Sequence, residues 1–227
     1  MLPSRLPESR ERLGAQSPRL PSWGDYSHAL LGQLNHGISH SVSSLGFTNV
    51  RYGAGVSTIA SHTAICGARQ SGAPVLLIDA NLNAPVLHEQ FDLPGPRGLA
   101  DLMFSADDPI EFVQQTTIDQ LSVLSAGEAH LADHRLSFSA ARFAKIFARL
   151  RERFSLIVVD LPEANDLTCC TTIAGMLDGI VLVLEPETVT GETARRARDR
   201  LLQCHAKLLG VVLNKQRSYV PKWLQRE

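Results

Sequence analysis

Short, continuous apolar runs recur along this chain, and segments with apolar residues at helical spacing lie between them. Two of the runs, VLLID and LIVVD, end in an aspartate. Apolar runs without alternation are typical of strands that are buried on both faces of a parallel sheet. Helices of about a dozen residues supply the crossovers that parallel strands require. The pattern therefore predicts an α/β fold with a mainly parallel sheet and helices on both faces.

The periodicity also predicts where each element lies. The predicted strands are 42–48, Val75–Asp79, Leu121–Leu124, Leu156–Asp160, 180–184 and Leu208–Leu213. The predicted helices are 57–70, 110–115, 137–153 and 191–205. Gly72 stands just after the first of these helices, where a glycine commonly ends a helix. Strands and helices thus alternate from residue 42 to residue 213.

The length of 227 residues fits one large domain with appendages. Residues 1–24 carry four prolines and four arginines with little apolar periodicity, so we expect a disordered N-terminal tail there. An apolar pattern at helical spacing predicts a helix at 26–38. We therefore expect one domain over residues 25–215, followed by a C-terminal tail at 216–227.

Composition excludes several classes of protein. The 22 Lys and Arg residues nearly balance the 23 Asp and Glu residues, so we expect no nucleic-acid partner bound through bulk positive charge. No apolar run reaches the about 18 residues that a membrane span requires, and the N-terminus lacks the apolar core of a secretory signal. The four cysteines and eight histidines show no metal-binding spacing. These features predict a cytoplasmic protein without disulfides.

Residues 51–58, with the sequence RYGAGVST, connect the first predicted strand to the helix that follows it. Glycines let successive backbone N–H groups point into one concavity, and a helix N-terminus adds partial positive charge. Such a loop binds phosphate, and Ser57 or Thr58 would then place a hydroxyl on Mg²⁺. The same residues also fit a tight strand-to-helix connection whose glycines only permit close packing.

Five sequence blocks, of which this loop is the first, occur in a specific order. They are GAGVST, VLLIDANLNAPVLHEQFDLPGPRGLADLM, FSLIVVDLPE, LDGIVLVLEPETVTGETARRA and LLGVVLNK. Their order and spacing resemble the bacterial tyrosine kinases of capsule and exopolysaccharide synthesis, which belong to the deviant Walker P-loop ATPases. The resemblance covers about residues 26–215. It implies a P-loop NTPase-like fold and ATP or ADP with Mg²⁺ as cofactors.

The resemblance also implies roles for individual residues. Asp79 would begin the family's second acidic Walker motif, and Asp160 would end the Walker B strand and hold Mg²⁺ through water. These two aspartates are the candidate catalytic residues. The candidate metal ligands are Ser57, Asp79 and Asp160. The candidate nucleotide contacts are Arg51, Gly53, Ala54, Gly55, Ser57, Thr58 and Asn214, with Asn214 at the adenine.

The chain departs from the family pattern at several of these positions. Val56 stands where the family has the P-loop lysine, whose charge neutralises the β- and γ-phosphates. Asn81 and Asn83 stand where the family usually has an aspartate and an arginine. Arg51 occupies the place of a second lysine in some deviant Walker proteins and could approach a phosphate, although its fork differs from an ammonium. Tyr219 stands alone where the kinases carry a tyrosine cluster.

These departures favour a regulatory form of such a kinase with impaired nucleotide binding. Its expected partner is a membrane chain-length or polysaccharide export protein, or a related kinase, and it would reach the membrane through that partner. Homo-oligomers are also expected of the family, but the predicted helix 26–38 lacks the arginines of the kinase ring interface. Two alternatives stay open: an active ATP-dependent protein-tyrosine kinase with a variant P-loop, and a partitioning-type positioning ATPase. Whether the chain is an enzyme is therefore undecided from the sequence.

Overall fold

The computed structural model describes residue 32 and residues 42–94, 97–127, 139–166 and 169–216. The predicted tail at 1–24 and most of the predicted helix at 26–38 lie outside the described residues, as do residues 217–227 of the predicted C-terminal tail with Tyr219. The predicted limits of the domain therefore stay a prediction. Within the described ranges, no helix combines the length and the apolar character needed to cross a lipid bilayer.

The described residues form one seven-stranded sheet. Its strands are β1 (Ser44–Asn49), β2 (Val75–Asp79), β3 (Gln114–Gln115), β4 (Leu121–Leu124), β5 (Leu156–Asp160), β6 (Gly179–Leu184) and β7 (Leu208–Leu213). They are ordered β3-β4-β2-β5-β1-β6-β7 across the sheet. Every neighbouring pair is parallel except β3 with β4. The predicted fold class is confirmed, and all six predicted strands lie in this sheet.

Six α-helices and one 3₁₀ helix connect the strands in the described ranges. The α-helices are α1 (Val56–Ser71), α2 (Leu87–Gln90), α3 (Leu99–Leu102), α4 (Ala140–Arg151), α5 (Cys169–Ala174) and α6 (Gly191–Gln203). Gly72 ends α1 in the left-handed conformation at φ 61°, and its N–H donates to the carbonyl of Ala68, as the sequence predicted. The Ser139 hydroxyl caps α4 by accepting from the N–H of Arg142.

The predicted helix at 110–115 is wrong. The segment forms a short 3₁₀ helix, Pro109–Phe112, which the Asp108 carboxylate caps by accepting from the N–H of Ile110. Val113 then takes extended angles, and β3 pairs antiparallel with β4 at the edge of the sheet. Backbone hydrogen bonds to a neighbouring strand outweigh the weak helical preference of so short a segment.

The sheet separates two apolar cores. Leu76 and Ile78 of β2 point into the core that α3, α4, α5 and α6 cover. Val75 and Leu77 of the same strand point into the core beneath α1. Successive side chains of a strand face opposite sides of its sheet, so a strand covered on both faces must be apolar throughout. This arrangement explains the continuous apolar runs and directs the polar strand ends to one edge.

Candidate functional site

The carboxyl ends of three neighbouring strands meet at the middle of the sheet. Asp79 ends β2 and Asp160 ends β5, and the two residues are directly paired in the parallel register. β1 lies on the other side of β5, and Phe47 of β1 is paired with Asp160. The residues that follow β1 form the glycine loop, which leads into α1. The structure thus brings the loop and both strand-end acids together, as the sequence predicted.

A cavity of about 750 Å³ opens between the loops that follow these three strands. Its lining comes from Asn49, Tyr52, Gly53, Gly55, Val56, Ser57, Thr58, Asn81, Asn83, Ala84, Val86, Leu161, Pro162, Glu163, Asn165 and Asp166. Four candidate nucleotide contacts are therefore in the lining, whereas Arg51, Ala54 and Asn214 are not. The crevice outside strand ends is the usual ligand site of parallel α/β sheets.

At two positions of the glycine loop, the backbone has a conformation that only glycine adopts readily. Gly53 and Gly55 have φ angles of 89° and 88°, in the left-handed region. A Cβ on Gly55 would lie 2.4 Å from the side-chain nitrogen of Asn214, whereas one on Gly53 would meet open space. Gly55 caps α1, and as a glycine it supplies no side chain to accept from the first turn of this helix. The N–H groups of that turn therefore keep their partial positive charge at the cavity.

Two residues that follow β7 hold the loop from outside the cavity. The Asn214 side chain donates to the carbonyl of Ala54 at 2.7 Å, and its oxygen accepts from the N–H of Lys215 at 2.7 Å. The Lys215 ammonium donates to the carbonyl of Gly53 at 2.5 Å and lies 3.7 Å from the carboxylate of Glu185. The sequence analysis did not identify Lys215, although its place beside Asn214 at a strand end was a usable signal.

The Asp79 carboxylate accepts hydrogen bonds from three backbone N–H groups. It accepts from the N–H of Asn81 at 3.2 Å and from the N–H groups of Val86 and Leu87 at 3.1 Å each. Complete burial raises the pKa of Asp79 to about 6, although the three N–H groups lower it. Asp79 thereby anchors the segment between β2 and α2. Its suggested metal and catalytic roles stay predictions that compete with these bonds.

The Asp160 carboxylate is in the opposite situation. It is fully buried, and neither oxygen has a hydrogen-bond partner of ordinary geometry among the described residues. Burial and the nearby charge of Asp79 raise the pKa of Asp160 well above its usual range, while the hydroxyl of Ser57 lowers it. A buried carboxylate without a hydrogen bond of ordinary geometry calls for an explanation, and a carboxylate oxygen beside a hydroxyl suits Mg²⁺.

The charged groups of the cavity are not basic. Val56, in the place of the P-loop lysine, is only 6% exposed, and none of the residues that line the cavity is Lys, Arg or His. The lining instead carries Glu163 and Asp166, and Asp166 accepts from the side chain of Asn83 at 3.2 Å. Arg51 is exposed on the loop, and its guanidinium forms no hydrogen bond or ion pair with the other described residues. Among the described residues, the cavity thus has no fixed cation for a phosphate.

Comparisons with known proteins identify relatives of the whole domain. The model of the family "Cellulose biosynthesis protein BcsQ" matches residues 42–208. The "Putative tyrosine-protein kinase CapB" of Staphylococcus aureus is 30% identical over 77% of this chain and 75% of its own length. The chimerical protein CapA2B2 has a similar structure, with a TM-score of 0.80 at 24% identity, covering 91% of this chain and 90% of that one.

A more distant structural neighbour contains a nucleotide. Cobyrinic acid a,c-diamide synthase of Mycobacterium smegmatis, with a bound ATP analog and magnesium, has a TM-score of 0.65 at 17% identity. The match covers 76% of this chain and 74% of the synthase. At this identity the likeness concerns the fold alone. The fold is therefore one that accommodates ATP and Mg²⁺ in a neighbouring protein.

Proposed function

Because the chain belongs to the cellulose biosynthesis protein BcsQ family and to the wider group of capsule and exopolysaccharide tyrosine kinases, we propose that it is a regulatory member with weakened nucleotide binding. Its homologues are bacterial tyrosine kinases of polysaccharide synthesis. The proposal is that this chain keeps the shape of the nucleotide site but has lost the charge that makes it effective.

The observation that carries the proposal is Val56. In P-loop enzymes the lysine at this position places a full charge on the β- and γ-phosphates, where negative charge must be neutralised during transfer. Valine supplies neither charge nor hydrogen-bond donor, and charge-assisted bonds to phosphate are among the stronger ones. The acidic lining residues Glu163 and Asp166 add repulsion rather than compensation. Nucleotide binding should therefore be weaker, and turnover slower, than in an enzyme with the lysine.

The residues that remain would still hold a nucleotide weakly. Backbone N–H groups of residues 53–57 and the first turn of α1 would contact phosphate oxygens. Ser57 and the unpartnered Asp160 fit Mg²⁺, and Asp79 is a weaker candidate because its oxygens already accept three bonds. When bound, Mg²⁺ would supply positive charge that neutralises the phosphates. Asn214 remains the candidate contact for the adenine, although its side chain already bonds Ala54 and Lys215.

We propose a membrane chain-length or polysaccharide export protein, or a related kinase, as the partner of this chain. The support is membership in the polysaccharide kinase group. In this proposal the protein is cytoplasmic and reaches the membrane through its partner. Co-purification of the tagged chain with such an export protein from cells is the direct test.

An active kinase is the second candidate, and the position of Arg51 favours it. The carbonyl of Arg51 accepts from the side chain of Asn49 at 2.8 Å, which fixes the backbone of the loop, while the guanidinium is exposed. An exposed guanidinium on the loop could move toward a phosphate on nucleotide binding. Its larger, forked shape makes it an imperfect substitute for lysine.

Calorimetric titration with ATP and Mg²⁺ separates the two candidates. We expect weak binding by the wild type and at least tenfold tighter binding by Val56→Lys, because a cation returns to the phosphates. Val56→Met is the matched control, since it lengthens the side chain without charge, and it should bind like the wild type. Phosphate release should stay low in all three proteins.

Two results would reverse the proposal. Wild-type turnover at an ordinary kinase rate, roughly 1–100 per second, contradicts a weakened site. Loss of that turnover in Arg51→Ala would then assign the missing charge to Arg51 and establish the active-kinase candidate.

A further inference from the structure

The two residues that follow β7 contact the glycine loop at consecutive carbonyl groups. Asn214 donates to the carbonyl of Ala54, and Lys215 donates to the carbonyl of Gly53. We propose that Lys215 is a positioning residue for the phosphates of a nucleoside di- or triphosphate, acting through the loop rather than by direct contact. The inference rests on the proposed function, because it assumes that the loop is a phosphate site.

The physical reason is the geometry of the peptide bond. In a trans peptide the carbonyl of one residue and the N–H of the next point in opposite directions. A donor that holds the carbonyl of Gly53 from outside therefore turns the N–H of Ala54 inward. In the same way, the bond from Asn214 to the carbonyl of Ala54 turns the N–H of Gly55 inward. The clamp thus aims two consecutive N–H groups at the concavity where a phosphate would lie.

Lys215 is itself held in place by several groups. Its N–H donates to the side-chain oxygen of Asn214, and its ammonium lies 3.7 Å from Glu185 on the loop that follows β6. Its backbone has φ 58°, a left-handed angle that side chains other than glycine rarely adopt. Its side chain is still 50% exposed, so it can be replaced without opening a core. These contacts fix an exposed cation against a loop carbonyl.

The absence of the usual lysine makes this clamp more important. With Val56 in that place, the attraction of the loop for an anion depends on how well its N–H groups converge. Lys215 is the cation that contacts the loop within the described part of the chain. A second, independent observation indicates a ligand here: the buried carboxylate of Asp160 has no hydrogen bond of ordinary geometry to the described residues, with only the Ser57 hydroxyl near it. A bound Mg²⁺–nucleotide would complete both features.

The test uses Val56→Lys as the parent protein, because ADP binding should be measurable there. Lys215→Met removes the ammonium but keeps an unbranched stem, and Lys215→Arg keeps the charge. Lys207→Met is the matched control, since Lys207 is an exposed lysine before the same strand, β7. We expect about tenfold weaker binding of ADP with Mg²⁺ for Lys215→Met and less than threefold change for the control.

A second measurement separates positioning from simple stabilisation. In the unliganded wild type, the amide ¹H–¹⁵N chemical shift of Ala54 should change in Lys215→Met and return in Lys215→Arg, while hydrogen exchange in β2 and β5 stays unchanged. A lysine that only stabilised the fold would instead lower the Tm and raise exchange throughout the sheet. That result overturns the inference.

Unchanged ADP affinity together with an unchanged amide chemical shift of Ala54 also overturns it. Failure of the proposed function has a different signature. If the wild type binds ATP tightly, the weakened-site proposal fails, and the Lys215 variants are then compared in the wild type itself, where a loss of more than tenfold is expected because Val56 supplies no charge. If Val56→Lys does not bind ADP, the amide chemical shift of Ala54 in the unliganded protein still decides the role of Lys215.

Discussion

Asp79 and Asp160 occupy equivalent places in two neighbouring strands but have different surroundings. Both end a central strand, both are fully buried, and the parallel register pairs them directly. Asp79 accepts three backbone hydrogen bonds, whereas Asp160 accepts none of ordinary geometry from the described residues. Two acids that look alike in the sequence thus differ in how many hydrogen bonds they accept from the folded backbone.

The difference teaches which acid is available to a ligand. A carboxylate that already orders a loop through three N–H groups gains little from a metal, and moving it would release those groups into a buried region. A carboxylate without partners carries the cost of burial and can recover it only when a ligand or a proton arrives. We therefore expect Asp79 to contribute mainly to folding and Asp160 mainly to ligand binding.

The largest expected effect is that of Asp79→Ala. The substitution leaves the N–H groups of Asn81, Val86 and Leu87 without their acceptor, so the free energy of unfolding should fall by about 3 kcal/mol. Chemical denaturation at neutral pH measures the change. Asp119→Ala removes an exposed acid and should stay within about 0.5 kcal/mol of the wild type. Equal stability of the two variants would show that Asp79 does not anchor its loop.

The opposite sign is expected for Asp160→Asn. The amide keeps the shape of the side chain but removes a group whose charged form the site disfavours. In buffer with EDTA the free energy of unfolding should rise by about 2 kcal/mol at pH 8. Any stabilisation of the wild type by ATP with Mg²⁺, measured as a rise in Tm, should disappear in this variant. A destabilised Asp160→Asn protein would mean that Asp160 has a structural partner, and the contrast with Asp79 would collapse.

Much of the fold was predictable because the central strands are buried on both faces. The limits of Val75–Asp79, Leu121–Leu124 and Leu156–Asp160 agree with the prediction to the residue. Burial on both faces leaves a continuous apolar run, and such a run has clear ends. The segment at 110–115 was predicted wrongly because its structure depends on pairing with β4, which a local pattern does not contain.

The candidate site was predictable in position but not in bonding. Parallel strands bring their carboxyl ends to one edge, so the placement of Asp79 and Asp160 follows from the fold. Which N–H groups reach Asp79 depends on the path of the loop up to Leu87, and that path has no simple sequence signature. Lys215 reaches Gly53 across 162 positions of the chain, so its contact is a property of the folded loop alone.

The smallest expected effect is a pH dependence that isolates Asp79. Burial raises the pKa of Asp79 to about 6 from its ordinary value of 3.8. A raised pKa means that the folded protein binds the proton more tightly than the unfolded chain does. The contribution of Asp79 protonation to the free energy of unfolding is therefore fully present below about pH 4 and is lost as the pH rises through about 6. Stability from this group should increase on acidification from pH 7 to pH 5.

The measurement compares Asp160→Asn with the double variant Asp79→Ala/Asp160→Asn. Both proteins carry Asp160→Asn, which removes the titration of Asp160. Their difference in unfolding free energy should grow by about 1 kcal/mol between pH 7 and pH 5, in favour of the protein that keeps Asp79. His62 contributes with the opposite sign, since burial lowers its pKa, but its contribution is common to both proteins and cancels. A difference that is constant with pH, or that shrinks on acidification, would show that the three N–H groups outweigh burial and keep Asp79 charged.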